Sequence, residues 1–210
     1  MVWLKAPTVA CRLSTILLGL RRVNPASPRP TGSARPGSPW DILDTEKEHK
    51  LSTDQTFAGR GPASQRLQDL GLDLPPVAQS SKYANYRTVD SSIYIAGQLP
   101  YRGGKLLCQG ILGRDVELAA GRDQARQAAL NALAVAAAAT GGLDQVRVVQ
   151  MLAFVASTPE FGQQSDVADA ASELLLDVLG DNGRHARTAI GVAGLPRNSP
   201  VEIQLVCTTV

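Results

Sequence analysis

The sequence predicts an α+β domain in which two helices pack on one face of a mixed sheet. Three observations support this class: two strand patterns around a turn at 90–92, a long alanine-rich helical period at 115–142, and two strand patterns at the C-terminal end. Two helices cover only one face of such a sheet. The other face would expose more apolar surface than a monomer usually keeps, so we expect self-association.

The predicted domain opens with a short helix and a hairpin. The helical stretch is SQRLQDLG, which Gly71 is placed to end in a left-handed conformation. The strand patterns YANYRTVD and SIYIAGQLP, rich in Tyr, Val and Ile, flank the turn Asp90-Ser91-Ser92. After Pro100, the stretch GGKLLCQGIL is typical of the arm of another hairpin.

The next element is the strongest helix prediction. In DVELAAGRDQARQAALNALAVAAAATGG, apolar residues recur at i, i+3, i+4 and i+7 and define one apolar face. We expect Asp115 and Glu117 in its first turn, where carboxylates interact favourably with the helix dipole. Gly141 and Gly142 are expected to end the helix.

A strand, a helix and two strands complete the predicted order. QVRVVQMLAFVAS is almost continuously apolar, which indicates a strand buried on both faces or covered at an interface. SDVADAASELLLDVLG is a second amphipathic helix, with Ser165 as the expected N-cap and Gly180 as the expected terminator. The stretches ARTAIGVAGLP and SPVEIQLVCTTV return to strand.

The N-terminal region differs in charge from the rest of the chain. Residues 1–40 contain six basic residues and no acidic residue, whereas the remainder has 15 basic and 19 acidic residues. This composition predicts an organelle transit peptide at 1–40, mitochondrial first and plastid second. A secretory signal competes, because STILLGL is apolar, and so does a disordered basic tail. Residues 41–62 are expected to form a flexible linker, and residues 63–210 the folded domain.

Composition also argues against several kinds of site. The three cysteines and two histidines show no metal-ligand spacing, and no phosphate-binding loop is present, so we expect neither a metal nor a cofactor. No apolar run approaches a membrane span of roughly 20 residues, so no membrane partner is expected. The acidic body with few aromatic residues also disfavours nucleic acid as a partner.

Two charges in the final strands need explanation, because Arg187 and Glu202 have opposite sign in segments otherwise suited to burial. Four ordered blocks include them: LQDLGLDLPP, YIAGQLP, ARQAALNALA and HARTAIGVAGLPRNSPVEIQ. Over Ser64 to Val210, these blocks resemble the YjgF/YER/RidA family, in its branch described as chorismate-mutase-like or endoribonuclease L-PSP-like. The resemblance implies a chorismate-mutase-like (YjgF/RidA) fold, assembled as a homotrimer with ligand clefts between subunits.

The resemblance also implies a chemistry and a set of residues. In deaminase members, the arginine of the last block holds the carboxylate of a 2-imino or 2-enamino acid. The glutamate of that block helps water hydrolyse this acid to a 2-keto acid and ammonia. These positions are Arg187, for binding, and Glu202, for catalysis, and the family's pocket tyrosine falls on Tyr83. Gln98 and Asp169 complete the candidate binding set.

Each of these residues also has an ordinary interpretation. Arg187 could pair with a surface carboxylate, Glu202 could face solvent in an alternating strand, and Tyr83 could be a packing residue. Gln98 could cap a turn, and helical phase could leave Asp169 solvated.

The chain departs from the family's pattern at three positions. Ala96 replaces a pocket serine, Ala189 replaces a cysteine and Asp169 replaces an asparagine. Three hypotheses therefore remain open: a deaminase acting on imines or enamines, a non-catalytic trimer that binds a small carboxylate or a protein, and, ranked lower, an endoribonuclease. Chorismate mutase activity is expected least, because a dianionic substrate requires several cations.

Overall fold

The computed structural model describes residues 61–79 and 81–210. The transit peptide predicted at 1–40 lies outside the described residues, and so does the linker predicted at 41–62 except for its last two positions. Both stay predictions. Within the described residues the chain forms a mixed α+β fold, as the sequence predicts.

The structure contains three α-helices and seven strands within this described part of the chain, together with three short 3-10 turns. Their bounds in chain order are α1 Ala63–Asp69, β1 Tyr86–Val89, β2 Ser92–Ile95, β3 Tyr101–Arg102, β4 Lys105–Leu106, α2 Leu118–Thr140, β5 Val146–Ala156, α3 Gln164–Leu179, β6 Ala186–Val192 and β7 Val201–Thr209. The predicted hairpins are confirmed as β1–β2 and β3–β4. Gly71, Gly141 and Gly180 follow the three helices with positive φ, as expected.

Five strands form one mixed sheet in the order β1-β2-β7-β5-β6. Strand β6 runs parallel to β5, and the other neighbours are antiparallel. A parallel pair needs a crossover connection, which here is α3. Strand β5 therefore lies between the two C-terminal strands that contain Arg187 and Glu202.

The core lies between one face of this sheet and the helices. In β7, Val201, Ile203, Leu205 and Cys207 are fully buried, whereas the alternate residues are only partly buried. Helix α2 faces the sheet with small side chains, and its residues Ala125, Ala128, Ala129, Ala132 and Ala136 are completely buried. Small side chains allow the helix to lie close to the sheet, which confirms the predicted apolar face.

The predicted starts of the two long helices are wrong. Helix α2 begins at Leu118 with no acidic residue in its first turn, and Glu117 occupies the N-cap position without a side-chain bond. Asp115 lies before the helix, where its carboxylate accepts the Ile111 N–H at 3.0 Å and pairs with Arg114. Asp115 therefore closes a loop and does not interact with the helix dipole.

Helix α3 begins one residue before the predicted N-cap. Its first residue is Gln164, and Gln163 is at the N-cap position, so Ser165 is already helical. The Phe161 N–H donates to the Thr158 carbonyl at 3.2 Å, and the Gln164 side chain donates to the Phe161 carbonyl. These bonds form a turn immediately before the helix, and Ser165 lies after the helix start rather than at its N-cap.

The open face of the sheet is partly apolar. In β5 buried and less buried residues alternate, so this strand is fully buried only on its helix-facing side. Its open-face residues Leu152 and Phe154 are partly buried. Nearby, Tyr94 is 47% exposed and Ile190 is 42% exposed. The expectation that another surface covers this face therefore stays a prediction.

Gly183 gives the first testable prediction, because it precedes β6 where two segments approach closely. A Cβ at this position would lie 2.2 Å from the Leu175 carbonyl oxygen, which is backbone and has little freedom to move. We expect Gly183→Ala to lower the free energy of unfolding by about 1–3 kcal/mol. Urea unfolding measures this, with Gly194→Ala as the control because nothing lies within 4 Å of a Cβ there. Equal stability of the two variants would contradict the close approach.

Candidate ligand site around Arg187 and Glu202

Arg187 is the second residue of the edge strand β6, and its side chain lies on the helix-covered face. Its register partner in β5 is Met151, which is completely buried. From this position the Nη1 group donates to Asp169 Oδ1 at 2.6 Å and to Ser172 Oγ at 3.2 Å, both on α3. The Arg187 side chain is 26% exposed and the Asp169 side chain 44% exposed, so solvent partly screens this ion pair.

The other edge of the Arg187 guanidinium has no partner among the described residues. Asp169 and Ser172 bond only to Nη1, which leaves the parallel N–H groups of Nε and Nη2. This pair of donors matches the two oxygens of a carboxylate. Arg187 lines a cleft of about 260 Å³ together with Ser172, Leu176, Arg184 and His185. The arrangement suits a small anion.

A chain of hydrogen bonds connects the Arg187 side chain, through Ser172 and His185, to the Gly183 carbonyl just before β6. The Ser172 hydroxyl lies 3.1 Å from His185 Nε2, and His185 Nδ1 lies 2.6 Å from the Gly183 carbonyl oxygen. Burial lowers the pKa of His185, and the positive charge of Arg187 acts in the same direction, although the bond to Gly183 opposes both. A neutral His185 therefore donates a hydrogen bond from Nδ1 to the Gly183 carbonyl oxygen and accepts one at Nε2 from the Ser172 hydroxyl. This chain of bonds holds Ser172 toward Arg187.

Sequence reasoning did not identify Ser172 or His185 as site residues. A usable signal was present, because Ser172 lies three residues after Asp169 on α3 and His185 lies two residues before Arg187. The first spacing selects one helix face and the second one strand face. Only the packing of α3 on β6 brings the two faces together.

Glu202 lies in β7 on the open face of the sheet, opposite Phe154 of β5. Its side chain is half-buried and has no hydrogen bond or ion pair within the described part of the chain. Burial raises the pKa of Glu202 above its usual value, because a poorly solvated carboxylate is easier to protonate. This is a property expected of a group that exchanges protons near neutral pH.

Gly97 provides the space that Glu202 occupies. A Cβ at position 97 would lie 1.7 Å from Glu202 Oε1 and 2.7 Å from its carboxyl carbon. The carboxylate therefore lies directly over the Gly97 backbone, and no side chain fits there without displacing it. In the sequence, Gly97 is recognisable only as part of a family block, and its close approach to Glu202 was not predicted.

Arg187 and Glu202 do not meet within one chain. Arg187 shares the helix-covered face with Met151, whereas Glu202 shares the open face with Phe154. Strand β5 also separates their strands. The opposite charges of the two strands thus have different surroundings: Arg187 has a carboxylate partner on α3, and Glu202 lies over a glycine.

The remaining candidates lie apart from this arrangement. Tyr83 precedes β1 and is 63% exposed. Gln98 donates from Nε2 to the Ala96 and Gly97 carbonyl oxygens at 2.9 and 3.2 Å, so its side chain caps a local turn. Ala189 follows Arg187 on the same face of β6 and offers no polar group there.

The described residues contain no group of three or more His, Cys, Asp or Glu side chains arranged to hold a metal ion. In the same part of the chain, no helix combines the length and apolarity needed to cross a membrane. Burial raises the pKa of the Cys207 thiol to about 12, so this cysteine stays protonated and is not a nucleophile.

The raised pKa of Glu202 predicts a pH-dependent stability difference. Below the ordinary glutamate pKa of 4.5, the folded and unfolded states of the wild type both keep this group protonated. As pH rises through the folded-state pKa, ionisation in a half-buried site destabilises the native wild type, whereas Glu202→Gln stays neutral. The stability of Glu202→Gln relative to wild type should therefore increase as pH rises above 4.5 and become constant above the folded-state pKa.

Urea unfolding at a series of pH values measures this difference, and Glu160→Gln, at an exposed turn, controls for the loss of one charge. A constant difference between Glu202→Gln and wild type across the series would exclude the raised pKa.

Comparison with known proteins places this arrangement in a family. The family described as YjgF/chorismate mutase-like, putative endoribonuclease, matches residues 64–208. Protein TCP17 of Trypanosoma cruzi is 40% identical over 146 residues, covering 68% of this chain and 91% of that protein. The crystal structure of Atu1372 from Agrobacterium tumefaciens, whose function is unknown, is 42% identical with a TM-score of 0.66, covering 70% of this chain and 92% of that one.

A putative endoribonuclease from Shewanella oneidensis is 33% identical with a TM-score of 0.68, covering 70% of this chain and 99% of that one. The matched region spans both Arg187 and Glu202 and almost the whole described part of the chain. The chain therefore belongs to the YjgF/chorismate mutase-like family.

Proposed function

We propose that this protein hydrolyses reactive 2-enamino or 2-imino acids to 2-keto acids and ammonia. The observation that supports this most directly is the anchored guanidinium of Arg187. Its Nη1 group is held by Asp169 and Ser172, its Nε and Nη2 groups have no partner among the described residues, and Arg187 lines a cleft. A fixed pair of donors orients a substrate carboxylate and, with it, the neighbouring C=N carbon.

The proposed reaction is a hydrolysis that consumes one water molecule and releases one ammonia. An enamine first takes a proton at carbon to give the imine, and the imine carbon then adds water. The resulting aminoalcohol loses ammonia and leaves a carbonyl. Glu202 is the group proposed to take a proton from the attacking water and return it to the leaving nitrogen, for which a raised pKa is favourable.

This mechanism needs more than one copy of the chain. Arg187 and Glu202 lie on opposite faces of one sheet, so a complete site requires Glu202 from a neighbouring subunit. The partly apolar open face that surrounds Glu202 is a suitable surface for such a neighbour. We therefore include the homotrimer in the proposal, with the small carboxylate held between subunits.

A second candidate is a non-catalytic trimer that binds small carboxylates. Ala96 and Ala189 favour this alternative, because they lack polar groups that deaminase members use. The Asp169 carboxylate, 2.6 Å from Arg187 Nη1, opposes a bound anion in both candidates, since each relies on the same guanidinium. An endoribonuclease ranks below both, since the body of the chain is acidic and has few aromatic residues for stacking.

Arg187 provides the test of the proposed activity. We expect wild type to release ammonia and keto acid from freshly generated 2-aminoacrylate, and Arg187→Ala to lower kcat/KM by about 100-fold or more. Asp169→Asn keeps a bond acceptor but removes the competing charge, so it should lower KM severalfold. Arg114→Ala, which breaks an exposed pair at 2.8 Å elsewhere, is the matched control and should leave the rate unchanged.

One outcome would contradict the enzyme. If wild type and Arg187→Ala are equally inactive while small carboxylates still raise the melting temperature, the binding protein replaces the deaminase. A separate outcome concerns only Asp169: if Asp169→Asn raises KM, Asp169 orients Arg187 more than it competes with the substrate.

The trimer is tested by the mass of the protein in solution. We expect light scattering to give three times the mass of one chain, and Tyr94→Glu to give a single chain, because a buried charge at an interface is unfavourable. Leu70→Glu, at the end of α1, is the control, since Leu70 is 40% exposed compared with 47% for Tyr94. A wild type with the mass of one chain would exclude a site shared between subunits.

A further inference from the structure

The cleft that contains Arg187 also contains a hydroxyl group and an imidazole in hydrogen-bond contact. Ser172 Oγ lies 3.1 Å from His185 Nε2, and both residues line the cleft. A serine hydroxyl becomes a nucleophile when a neutral base within about 2.6–3.2 Å takes its proton. The contact between Ser172 and His185 therefore meets the first geometric requirement for nucleophilic catalysis.

The second requirement is a group that orients the base. His185 Nδ1 donates to the Gly183 carbonyl oxygen at 2.6 Å, so Nε2 is the ring nitrogen that faces Ser172 as an acceptor. In serine hydrolases, a bond at the other ring nitrogen likewise fixes the tautomer and the orientation of the imidazole. Burial holds the pKa of His185 below its ordinary value of 6.5, so the ring is neutral at pH 7 and can take a proton.

The third requirement is a group that stabilises developing negative charge. Arg187 Nη1 donates to Ser172 Oγ at 3.2 Å, so a positive charge lies beside the atom that loses its proton. In an adduct with Ser172, the former carbonyl oxygen is only two bonds away from Oγ and is therefore close to the same guanidinium. Fixed donors at the place where an oxyanion forms usually contribute more to acyl transfer than any other single group.

The cleft gives access to these groups and limits the size of a substrate. Ser172 and His185 are each only partly buried, and the Arg187 side chain is 26% exposed. The volume of about 260 Å³ lies below the roughly 300–1,000 Å³ of sites for drug-sized ligands. Leu176, one helical turn after Ser172 on α3, is the one aliphatic residue of the lining. A short acyl group suits this space.

We propose that Ser172 and His185 form a catalytic pair that hydrolyses small carboxylic esters with short acyl groups. Ser172 Oγ bonds to the ester carbonyl carbon while its proton moves to His185 Nε2, and Arg187 stabilises the negative oxygen. The bond to the alcohol oxygen then breaks, and this oxygen takes the Nε2 proton. Water next attacks the acyl-serine and gives a proton to Nε2. The carboxylic acid leaves, and that proton returns to Ser172 Oγ.

This activity goes beyond the proposed hydrolysis of imines. It does not use Glu202, and its three groups belong to one chain, so it requires no neighbouring subunit. Spacing along the sequence does not reveal the pair, because the serine lies within α3 and the histidine just before β6. The packing of the helix on the strand brings the nucleophile to its base.

Covalent labelling of the full-length protein tests the nucleophile. We expect methanesulfonyl fluoride, a small serine-directed reagent, to add one methanesulfonyl group at Ser172, located by mass spectrometry. Ser172→Ala should lower kcat/KM for p-nitrophenyl acetate by about 100-fold or more. Ser165→Ala, at an exposed position of the same helix, is the matched control and should keep the wild-type rate. Labelling only at other residues, or unchanged hydrolysis by Ser172→Ala, would overturn the proposal.

The length of the acyl group tests the substrate class. We expect p-nitrophenyl acetate and p-nitrophenyl butyrate to react with a kcat/KM about tenfold or more above that of p-nitrophenyl decanoate, because a long chain finds no apolar wall beyond Leu176. Equal or faster reaction of the decanoate would exclude a short-acyl site.

The role of His185 as a base is separated from a structural role by the Ser172→Cys variant, which keeps a nucleophile at the same place. Iodoacetamide should alkylate the introduced thiol, and adding His185→Gln should slow this alkylation about tenfold or more. Glutamine can accept a hydrogen bond but not a proton, so the two proteins differ in the base and not in access to the thiol. Equal alkylation rates in two proteins of similar melting temperature would show that His185 takes no proton.

Oligomeric state distinguishes this activity from imine hydrolysis. Tyr94→Glu, expected to be a single chain, should keep the hydrolysis of p-nitrophenyl acetate and lose the release of ammonia from 2-aminoacrylate. Loss of both activities would overturn a site formed within one chain. A wild type that is labelled at Ser172 but releases no ammonia would contradict only the deaminase, and one that releases ammonia without labelling would contradict only the esterase.

Discussion

Within the described residues, helices cover only one face of the five-stranded sheet, and the other features of the structure depend on this constraint. Strand β5 lies between β6 and β7, and side chains alternate between the two faces along each of them. The register therefore sends Arg187 toward α3 and Glu202 toward the uncovered face. The alternation of side chains along a strand thus separates the two candidate charges, and a site that uses both of them cannot form within a single chain.

The two charges differ in how the protein compensates them. Arg187 is partly buried, and a neighbouring carboxylate and a serine satisfy one of its nitrogen atoms. Glu202 has no such partner among the described residues, and burial acts on it unopposed, which raises its pKa. In the proposed hydrolysis, the guanidinium with one free edge binds the carboxylate of the imine, and Glu202 transfers protons. That proposal requires the two groups to meet across an interface between subunits.

Asp169 illustrates how one substitution changes the balance of such a site. A neutral asparagine at this place would orient the guanidinium without opposing a substrate anion. The aspartate orients Arg187 more strongly, but it also lowers the positive potential that a ligand meets.

The sequence by itself determined the element order, the apolar faces of both long helices and the glycine terminators, because these depend on local periodicity and on backbone conformations that few residues adopt. Helix starts could not be predicted in the same way: Asp115 bonds to Ile111 in the loop before its helix, and Ser165 is already helical. Only the tertiary structure decided that Glu202 lies over Gly97 and that Ser172 bonds to both Arg187 and His185. These contacts join different strands, helices and loops, and strand register and helix packing set their distances.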